Sequence, residues 1–178
     1  MEFLKFSPND QKAIRQLFIR TFTDSEGETE GNLVGKLADD LMTNTDANDL
    51  QGYVATENEQ IIACIFFSRM TFSDDVNAFL LSPVAVLTSF QGQGIGQKLI
   101  NFGIDCLKEQ GISLILTYGD PAFYSKVGFK QISVTMIKPP FKLSQPEGWL
   151  GLSLYGEEIK PVAGNSSCVT AFNNPLLW

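Results

Sequence analysis

The spacing of hydrophobic residues in the N-terminal third of the chain indicates helices. Apolar residues recur there three and four positions apart, as they do along one face of an α-helix. After a short predicted strand at Phe3 to Phe6, the first helix is expected to begin at Ser7, a residue type that caps helices, with Pro8 following it. A second helix is predicted over Glu30 to Met42, and the acidic segment Thr23 to Gly31 is expected to separate the two helices as a loop.

Strand patterns dominate the middle of the chain. Gln51 to Glu57 and Gln60 to Arg69 are predicted to pair as a hairpin, although the polar link between them lacks the glycine of the favoured two-residue turns. Ala78 to Leu87 is the next predicted strand. Because proline has no N–H to donate to a ladder, Pro83 is expected to mark an edge or an irregular position.

The second half of the chain continues the alternation of strands and helices. A predicted helix over Gly94 to Gln110 is followed by an apolar strand, Ile112 to Tyr118, and by a short helix that Asp120 can cap. Weaker patterns predict three further strands, at Gln131 to Ile137, Trp149 to Tyr155 and Ser167 to Phe172. The prediction is one α/β domain over residues 1–178, with a mixed central sheet of about six to seven strands flanked by about four helices.

A glycine-rich turn joins the strand that ends at Leu87 to the helix that follows it. The turn consists of Gln91, Gly92, Gln93, Gly94, Ile95 and Gly96. A strand, a glycine turn and a helix in this order leave backbone N–H groups without intrahelical partners at a helix N-terminus, where the helix dipole favours negative charge. We interpret the turn as a cradle for the pyrophosphate of a coenzyme A thioester.

Two commoner phosphate-binding loops match this turn less well. A Walker loop requires Lys and then Ser or Thr after its last glycine, whereas Gln97 follows Gly96. The dinucleotide-binding fingerprint requires its third glycine one residue later and an acidic residue about twenty positions on, and Gly111 to Tyr118 contains none. A glycine turn without a ligand and a nucleotide-binding interaction domain stay open as alternatives.

Composition narrows the chemistry further. Of the 178 residues, 44% are hydrophobic and none is histidine. Ser-His-Asp and Cys-His catalysis within one chain are therefore excluded, as are histidine zinc sites, and three scattered cysteines make a poor thiolate site, so no metal is expected. Cys64, Cys106 and Cys168 are interpreted as reduced, mostly buried thiols of a cytoplasmic protein.

The charge balance is acidic, with a formal net charge of −7. No nucleic-acid partner is expected, because such binding depends on a basic surface. No membrane association is expected either, since the apolar runs are too short to span a bilayer and no signal-peptide pattern is visible. Asp24, Glu26, Glu28 and Glu30 form an acidic run that is expected to be a solvated loop and that mildly favours a cationic acceptor.

Three segments stand in an order that carries a family resemblance. They are Val84-Ala85-Val86, the turn from Gln91 to Gly96, and Tyr124-Ser125-Lys126-Val127-Gly128-Phe129. The last two match the motifs Q/R-x-x-G-x-G/A and Y-x-x-x-G-F of the GNAT superfamily of acyl-CoA-dependent N-acetyltransferases, at the family's usual separation. The chain resembles this superfamily over nearly its whole length, and within it the YhbS-like group of predicted acetyltransferases.

The resemblance implies a role for each segment. Backbone groups of Val84 to Val86 would bind the pantetheine arm of acetyl-CoA as an added strand, and the N–H of Val86 would hold the oxyanion. The N–H groups from Gln91 to Gly96 would bind the pyrophosphate. Tyr124 would protonate the leaving thiolate as general acid, the alternative being a core aromatic residue beside Phe123.

At one position the chain departs from the family pattern. Many members have an asparagine seven residues before the tyrosine, whose side chain contacts the coenzyme, and here that position is Thr117. Asp120 is expected either to replace that contact or to cap the short helix, and the Asp120-Pro121 sequence favours the cap.

The implied acceptor is a small-molecule or peptide primary amine, which must be neutral to attack a thioester. Without histidine, the general base would be a carboxylate acting directly or through water, and the candidates are Glu57, Asp74, Asp75 and Glu28. The acceptor is expected among Thr23 to Gly31, Met70 to Asn77 and the C-terminal strands. A non-catalytic acyl-CoA-binding module is the rival interpretation, and a monomer or a homodimer fits the sequence equally.

Overall fold

The computed structural model describes all 178 residues, which divide into two compact units. The first unit contains Met1–Phe66 and Pro83–Gly103, and the second contains Phe67–Ser82 and Ile104–Trp178. The helices are α1 (Gln11–Glu26), α2 (Glu28–Asn44), α3 (Ile95–Glu109) and α4 (Pro121–Tyr124). The strands are β1 (Glu2–Lys5), β2 (Leu50–Glu57), β3 (Gln60–Thr71), β4 (Ala78–Val86), β5 (Leu114–Tyr118), β6 (Lys130–Gln131), β7 (Trp149–Ser153) and β8 (Ser167–Cys168).

The strands are hydrogen-bonded in the order β1-β2-β3-β4-β5-β7-β6, and β8 pairs with β3. β4 and β5 are parallel, whereas the pairs β1–β2, β3–β8, β5–β7 and β6–β7 are antiparallel. The predicted mixed sheet with four helices is confirmed, with eight strands where six or seven were expected. None of the helices combines the length and the apolar composition that a bilayer crossing requires.

The start of the first unit follows the sequence prediction closely. The Ser7 side chain accepts from the Asn9 N–H and the Asp10 side chain accepts from the Ser7 N–H, so the expected cap is present. A short 3-10 turn at Pro8–Asp10 leads into α1. The buried face of α1 has the predicted helical spacing and consists of Ile14, Leu17, Phe18 and Thr21.

The acidic loop expected between the first two helices is not present. α1 runs to Glu26, α2 starts at Glu28, and Gly27 alone makes the break with a φ of 95°. Only glycine adopts that backbone readily, so one residue replaces the predicted loop. The acidic residues lie on helices instead: Glu28 and Glu30 occupy the first turn of α2, where the helix dipole stabilises negative charge.

β4 runs through Pro83 without a break, and Pro83 lies beyond the pairing of β4 with β5, at an edge position as predicted. The backbone pairs between β4 and β5 end at Leu80 opposite Leu116. Beyond them, the side chain of Thr117 donates to the Leu81 carbonyl at 2.8 Å. Since the pairing with β5 ends before Pro83, no donor from that residue is needed there.

Two strands predicted near the C-terminus are shorter than expected. Strand β6 ends at Gln131, and the segment after it turns, with the N–H groups of Met136 and Ile137 both donating to the Ser133 carbonyl. The Ser133 hydroxyl accepts from the Thr135 N–H, a local bond that competes with strand pairing. Similarly, β8 holds only Ser167–Cys168, because residues 170–172 form a 3-10 turn.

Candidate active site

The glycine turn of the first unit connects β4 to α3 as predicted. The Leu87 N–H donates to the Ile62 carbonyl at 2.8 Å, which ties the end of β4 to β3. A 3-10 turn at Thr88–Phe90 follows, and the Gly94 carbonyl accepts the first helical bond of α3 from the Lys98 N–H at 3.1 Å. Gly94 therefore occupies the N-cap position directly before α3.

Two glycines determine the backbone conformation of this turn. Gly92 has a φ of 75° and Gly94 a φ of 73°, in the left-handed region that other residues avoid. A Cβ built on Gly92 would meet no atom within 4 Å, and one on Gly94 would meet only the Gln97 side chain at 3.5 Å. The backbone conformation, not crowding, requires glycine here, and the space in front of Gly92 is open to a ligand.

A row of unpaired backbone donors borders this open space. The N–H groups of residues 92–97 donate to no acceptor in the protein, and Gln91, Gly92 and Gln93 are exposed. The first donors of a helix have no intrahelical partner, so an anion can satisfy several of them together. The free donors predicted at this helix N-terminus are therefore present, and the anion that they would bind stays a prediction.

The side chain of Gln91 connects this turn to the end of β4. Its Nε2 donates to the Val86 carbonyl at 2.9 Å. In an extended strand the N–H and C=O of one residue point to the same side, so the N–H of Val86 is directed away from the β3 partner that Leu87 contacts. The first unit thus brings the predicted residues Val86, Gln91 and Gly92 together.

A further contact holds the turn to the first helix. The Thr88 hydroxyl donates to Asp24 Oδ2 at 2.7 Å, linking the last turn of α1 to the residue at which the 3-10 turn starts. The sequence indicated an acidic surface around Asp24 but gave no signal for this pairing, because the two residues are far apart along the chain.

Tyr124 lies at the C-terminal end of α4 in the second unit and is 9% exposed. The Asp120 side chain accepts from the Ala122 N–H at 2.8 Å, so Asp120 caps the helix as favoured from the sequence. A Cβ on Gly119 would lie 2.7 Å from the Tyr124 ring, which makes Gly119 a packing requirement that sequence reasoning missed. The ring also packs edge-on against Phe123 at 5.0 Å and against Phe129 at 5.6 Å.

The pKa of Tyr124 is raised to about 12, chiefly by burial; a hydrogen bond with the Thr117 side chain lowers it and the nearby Asp120 carboxylate raises it by smaller amounts. The Thr117 hydroxyl is fully buried and gives its own proton to the Leu81 carbonyl. Its oxygen is therefore left to accept from the Tyr124 O–H. Burial is the larger effect on the pKa, and it holds Tyr124 in the neutral form, the form in which it can donate a proton.

The four carboxylates considered as general base lie in different places. Glu28 begins α2, Glu57 ends β2, and Asp74 and Asp75 lie in the link between β3 and β4. Asp74 Oδ2 accepts from the Ala163 N–H at 3.1 Å, while Glu57 is half-buried. The three cysteines are free thiols: Cys64 is buried, and burial raises the pKa of Cys168 to about 12.

Comparison with known proteins decides the family. The family profile "Acetyltransferase (GNAT) domain" matches residues 48–131, a range that includes β4, the glycine turn and Tyr124. The uncharacterized N-acetyltransferase YhbS of Escherichia coli K12 is 34% identical over 125 residues, which cover 69% of this chain and 70% of YhbS. The chain belongs to the GNAT family of N-acetyltransferases. The uncharacterized N-acetyltransferase YjhQ of the same strain is 29% identical over 68% of this chain and 65% of YjhQ.

Solved structures of GNAT proteins share the fold. The crystal structure of E. coli YhbS in complex with CoA superposes with a TM-score of 0.82 and 27% identity, covering 97% of this chain and 92% of YhbS. A GNAT acetyltransferase from Brucella melitensis, in complex with acetyl-CoA, gives a TM-score of 0.72 at 26% identity and covers 97% of both chains. The resemblance to the GNAT superfamily and to its YhbS-like group is confirmed.

Proposed function

We propose that this GNAT protein transfers an acetyl group from acetyl-CoA to a primary amine by direct attack, and that residues 1–178 act as one catalytic domain. The row of unpaired N–H groups at residues 92–97 carries the proposal. Six such donors around a glycine turn with open space in front of it suit a ligand with a pyrophosphate group. The relatives crystallised with CoA and acetyl-CoA support the same ligand.

In this proposal the end of β4 binds the pantetheine arm. Val84 and Val86 are half-buried, while Ala85 between them is buried, so successive side chains alternate across the strand. The N–H of Val86, directed away from β3, is the donor that we assign to the thioester carbonyl. Such a donor stabilises the oxyanion that forms when the amine attacks.

The transfer then needs no covalent enzyme intermediate. The lone pair of the neutral amine attacks the thioester carbon, the oxyanion forms, and its collapse breaks the C–S bond. Tyr124 gives its proton to the departing thiolate and regains one from solvent, while the new amide loses a proton to a base. We propose that this base is a carboxylate acting directly or through water, because the chain contains no histidine.

A thermal melt tests the ligand. Acetyl-CoA at about one hundred times its dissociation constant is expected to add about 2.7 kcal/mol to the free energy of unfolding, or roughly 5–10 °C in Tm. ATP and NAD at the same concentration serve as controls. Absence of a shift at saturating acetyl-CoA contradicts the proposal, and an equal shift with ATP favours a nucleotide-binding domain instead.

Replacement of Tyr124 by Phe tests the chemistry. The proposal expects turnover with a primary amine to fall by about 10²–10⁴-fold, the usual contribution of general acid catalysis, while acetyl-CoA affinity stays within about twofold. If the wild-type protein binds acetyl-CoA but acetylates no amine in a broad screen, the acyl-CoA-binding module is the better description. Unchanged turnover in the variant removes Tyr124 from the mechanism.

A further inference from the structure

The second unit contains a cavity of about 930 Å³. It lies among residues 134–146, residues 161–164 and Asp74. Its volume is near the upper end of the range for small-molecule sites, about 300–1,000 Å³. Neither the glycine turn, nor the end of β4, nor Tyr124 lines it.

The walls of this cavity are tied to one another by several contacts. The Val162 N–H donates to the Met136 carbonyl at 2.9 Å, and Ile137 bridges to Val162. The Ala163 N–H donates to Asp74 Oδ2. A Cβ on Gly164 would lie 2.4 Å from the Ser73 Oγ, so only glycine permits that approach. These contacts hold the segments that line the cavity in fixed positions relative to one another.

The lining is mostly apolar. Its apolar side chains include Val134, Met136, Phe141, Leu143 and Val162, together with four prolines. Val134 is 36% exposed and is one of the few large apolar side chains that face solvent. Apolar walls of this kind favour a ligand with a hydrophobic body.

The charged groups at the cavity favour an anion. Lys138 and Lys142 both line it and both are exposed. Lys138 donates to the neutral Asn165 side chain at 2.8 Å, and the chain's ion pair, Lys36 with Asp40, includes neither lysine. Asp74, which accepts from the Ala163 N–H, is the only acidic residue of the lining. The lining therefore holds two lysines without carboxylate partners against one carboxylate, and its net charge is positive although that of the chain is −7.

We propose that this cavity binds a small amphipathic anion, with its apolar body against Met136, Phe141 and Val162 and its carboxylate or sulfonate at Lys138 and Lys142. This binding does not depend on the proposed function, although the lining residue Asp74 is also one of the four carboxylates considered as general base. An amphipathic cation of the same length is disfavoured, because the two lysines would repel it.

Both tryptophans of the chain can report on the site. Trp149 Nε1 donates to the carbonyl of Ile137, which adjoins the cavity residues Met136 and Lys138. The Trp178 ring lies 6.4 Å from the ring of Phe141, which lines the cavity. A ligand that enters should therefore change the intrinsic tryptophan fluorescence.

The 178-residue protein is titrated, without acetyl-CoA, with decanoate and with decylammonium below their micelle concentrations. Binding is followed by tryptophan fluorescence and calorimetry. Saturable binding of one decanoate per chain, at least about tenfold tighter than decylammonium, is the expected result. Equal affinity for the two probes, or no saturable binding of decanoate, overturns the proposal.

Two variants locate the site. The double substitution K138E/K142E should weaken decanoate binding by about tenfold or more, since two exposed ion pairs together contribute about 1–2 kcal/mol. K12E/K108E changes the net charge equally at exposed lysines elsewhere and should leave the affinity unchanged. Val134→Trp, measured by calorimetry after a melt confirms folding, should fill part of the cavity and also weaken binding. Binding that is unaffected by both K138E/K142E and Val134→Trp places decanoate elsewhere.

Discussion

The hydroxyl of Tyr124 is the group whose ionisation is most changed among the site residues. Its pKa of about 12 results first from burial, so charge on the phenol is disfavoured. In the proposed mechanism, the thiolate would leave into the same water-poor surroundings and would also be more basic than in water, which would keep proton transfer from the phenol feasible. At neutral pH the residue is therefore an intact donor, and no alkaline loss of activity near pH 10 is expected from its ionisation.

The raised pKa of Tyr124 should also make the stability of the protein depend on pH. In the unfolded chain Tyr124 loses its proton near pH 10, whereas in the folded chain it keeps it to about pH 12. Above pH 10 the unfolded state binds fewer protons, so stability falls as the pH rises from 10 to 12. Since the two pKa values differ by about two, and each pKa unit corresponds to about 1.36 kcal/mol, the free energy of unfolding should fall by about 3 kcal/mol.

Denaturant unfolding of the wild-type protein and the Tyr124→Phe variant between pH 9 and 12 measures this loss. All other groups are shared by the two proteins, so the difference between the two curves isolates Tyr124. The variant should lose about 3 kcal/mol less than the wild type over this interval. Parallel curves would show that the phenol is not desolvated as the structure indicates.

At the scale of elements, the glycine turn is the part of the candidate site whose backbone geometry the sequence predicted best. Spacing alone placed Gly92 and Gly94 between a strand and a helix, and free donors at that junction follow from helix geometry. The contacts of Thr88 with Asp24 and of Thr117 with Leu81 could not be predicted, because each depends on which strands and helices become neighbours.

The break between α1 and α2 is a second feature that could not be predicted from the sequence. Four acidic residues and a glycine are typical of a loop, yet helical hydrogen bonding and the packing of the two helices outweigh that preference. Gly31 and Gly35 explain the close packing, since a Cβ there would lie 2.0 Å from the Thr23 hydroxyl and 2.2 Å from the Ile19 side chain. The sequence pattern predicted both helices, but it did not predict where α1 ends and α2 begins.

Gly92→Ala tests the glycine turn. The left-handed backbone costs a non-glycine residue about 1–2 kcal/mol, so stability should fall by that amount. Because the strain distorts the donors, acetyl-CoA affinity should fall by at least about tenfold. Gly156 is a matched control, since it has a φ of 72° and equally open space, but lies in another turn. Gly156→Ala should lose similar stability and no affinity, as measured by melts and by acetyl-CoA titration; an affinity loss in both variants would contradict the assignment.

At the scale of the whole chain, aromatic packing holds the C-terminal segment within the second unit. The Trp178 ring contacts those of Tyr118, Phe141, Trp149 and Phe172, and its Nε1 donates to the Phe172 carbonyl. At 6% exposure it is a core residue although it is far along the chain from most of its neighbours. The segment after β8 is therefore part of the folded core of that unit.

Trp178→Ala should cost about 3–5 kcal/mol, the usual range for removing a buried tryptophan, and leave a void among the four rings. Chemical denaturation measures the loss. The exposed Leu176, which is 78% accessible, provides the control, because Leu176→Ala removes a large apolar side chain from the same segment without opening a core cavity. A similar loss in both variants would mean that Trp178 does not anchor the segment.

The hairpin between β2 and β3 turns through Asn58 and Glu59, whose φ values of 48° and 63° are strained for non-glycine residues. Glu59→Gly should relieve part of that strain and raise the free energy of unfolding by about 1 kcal/mol, with no change in acetyl-CoA affinity; denaturant melts and ligand titration check both.

A natural chain that keeps this strain lies below its attainable stability. A homologue with glycine at this position would have stability to spare. It could therefore tolerate destabilising substitutions around the acceptor site, including ones that change the substrate.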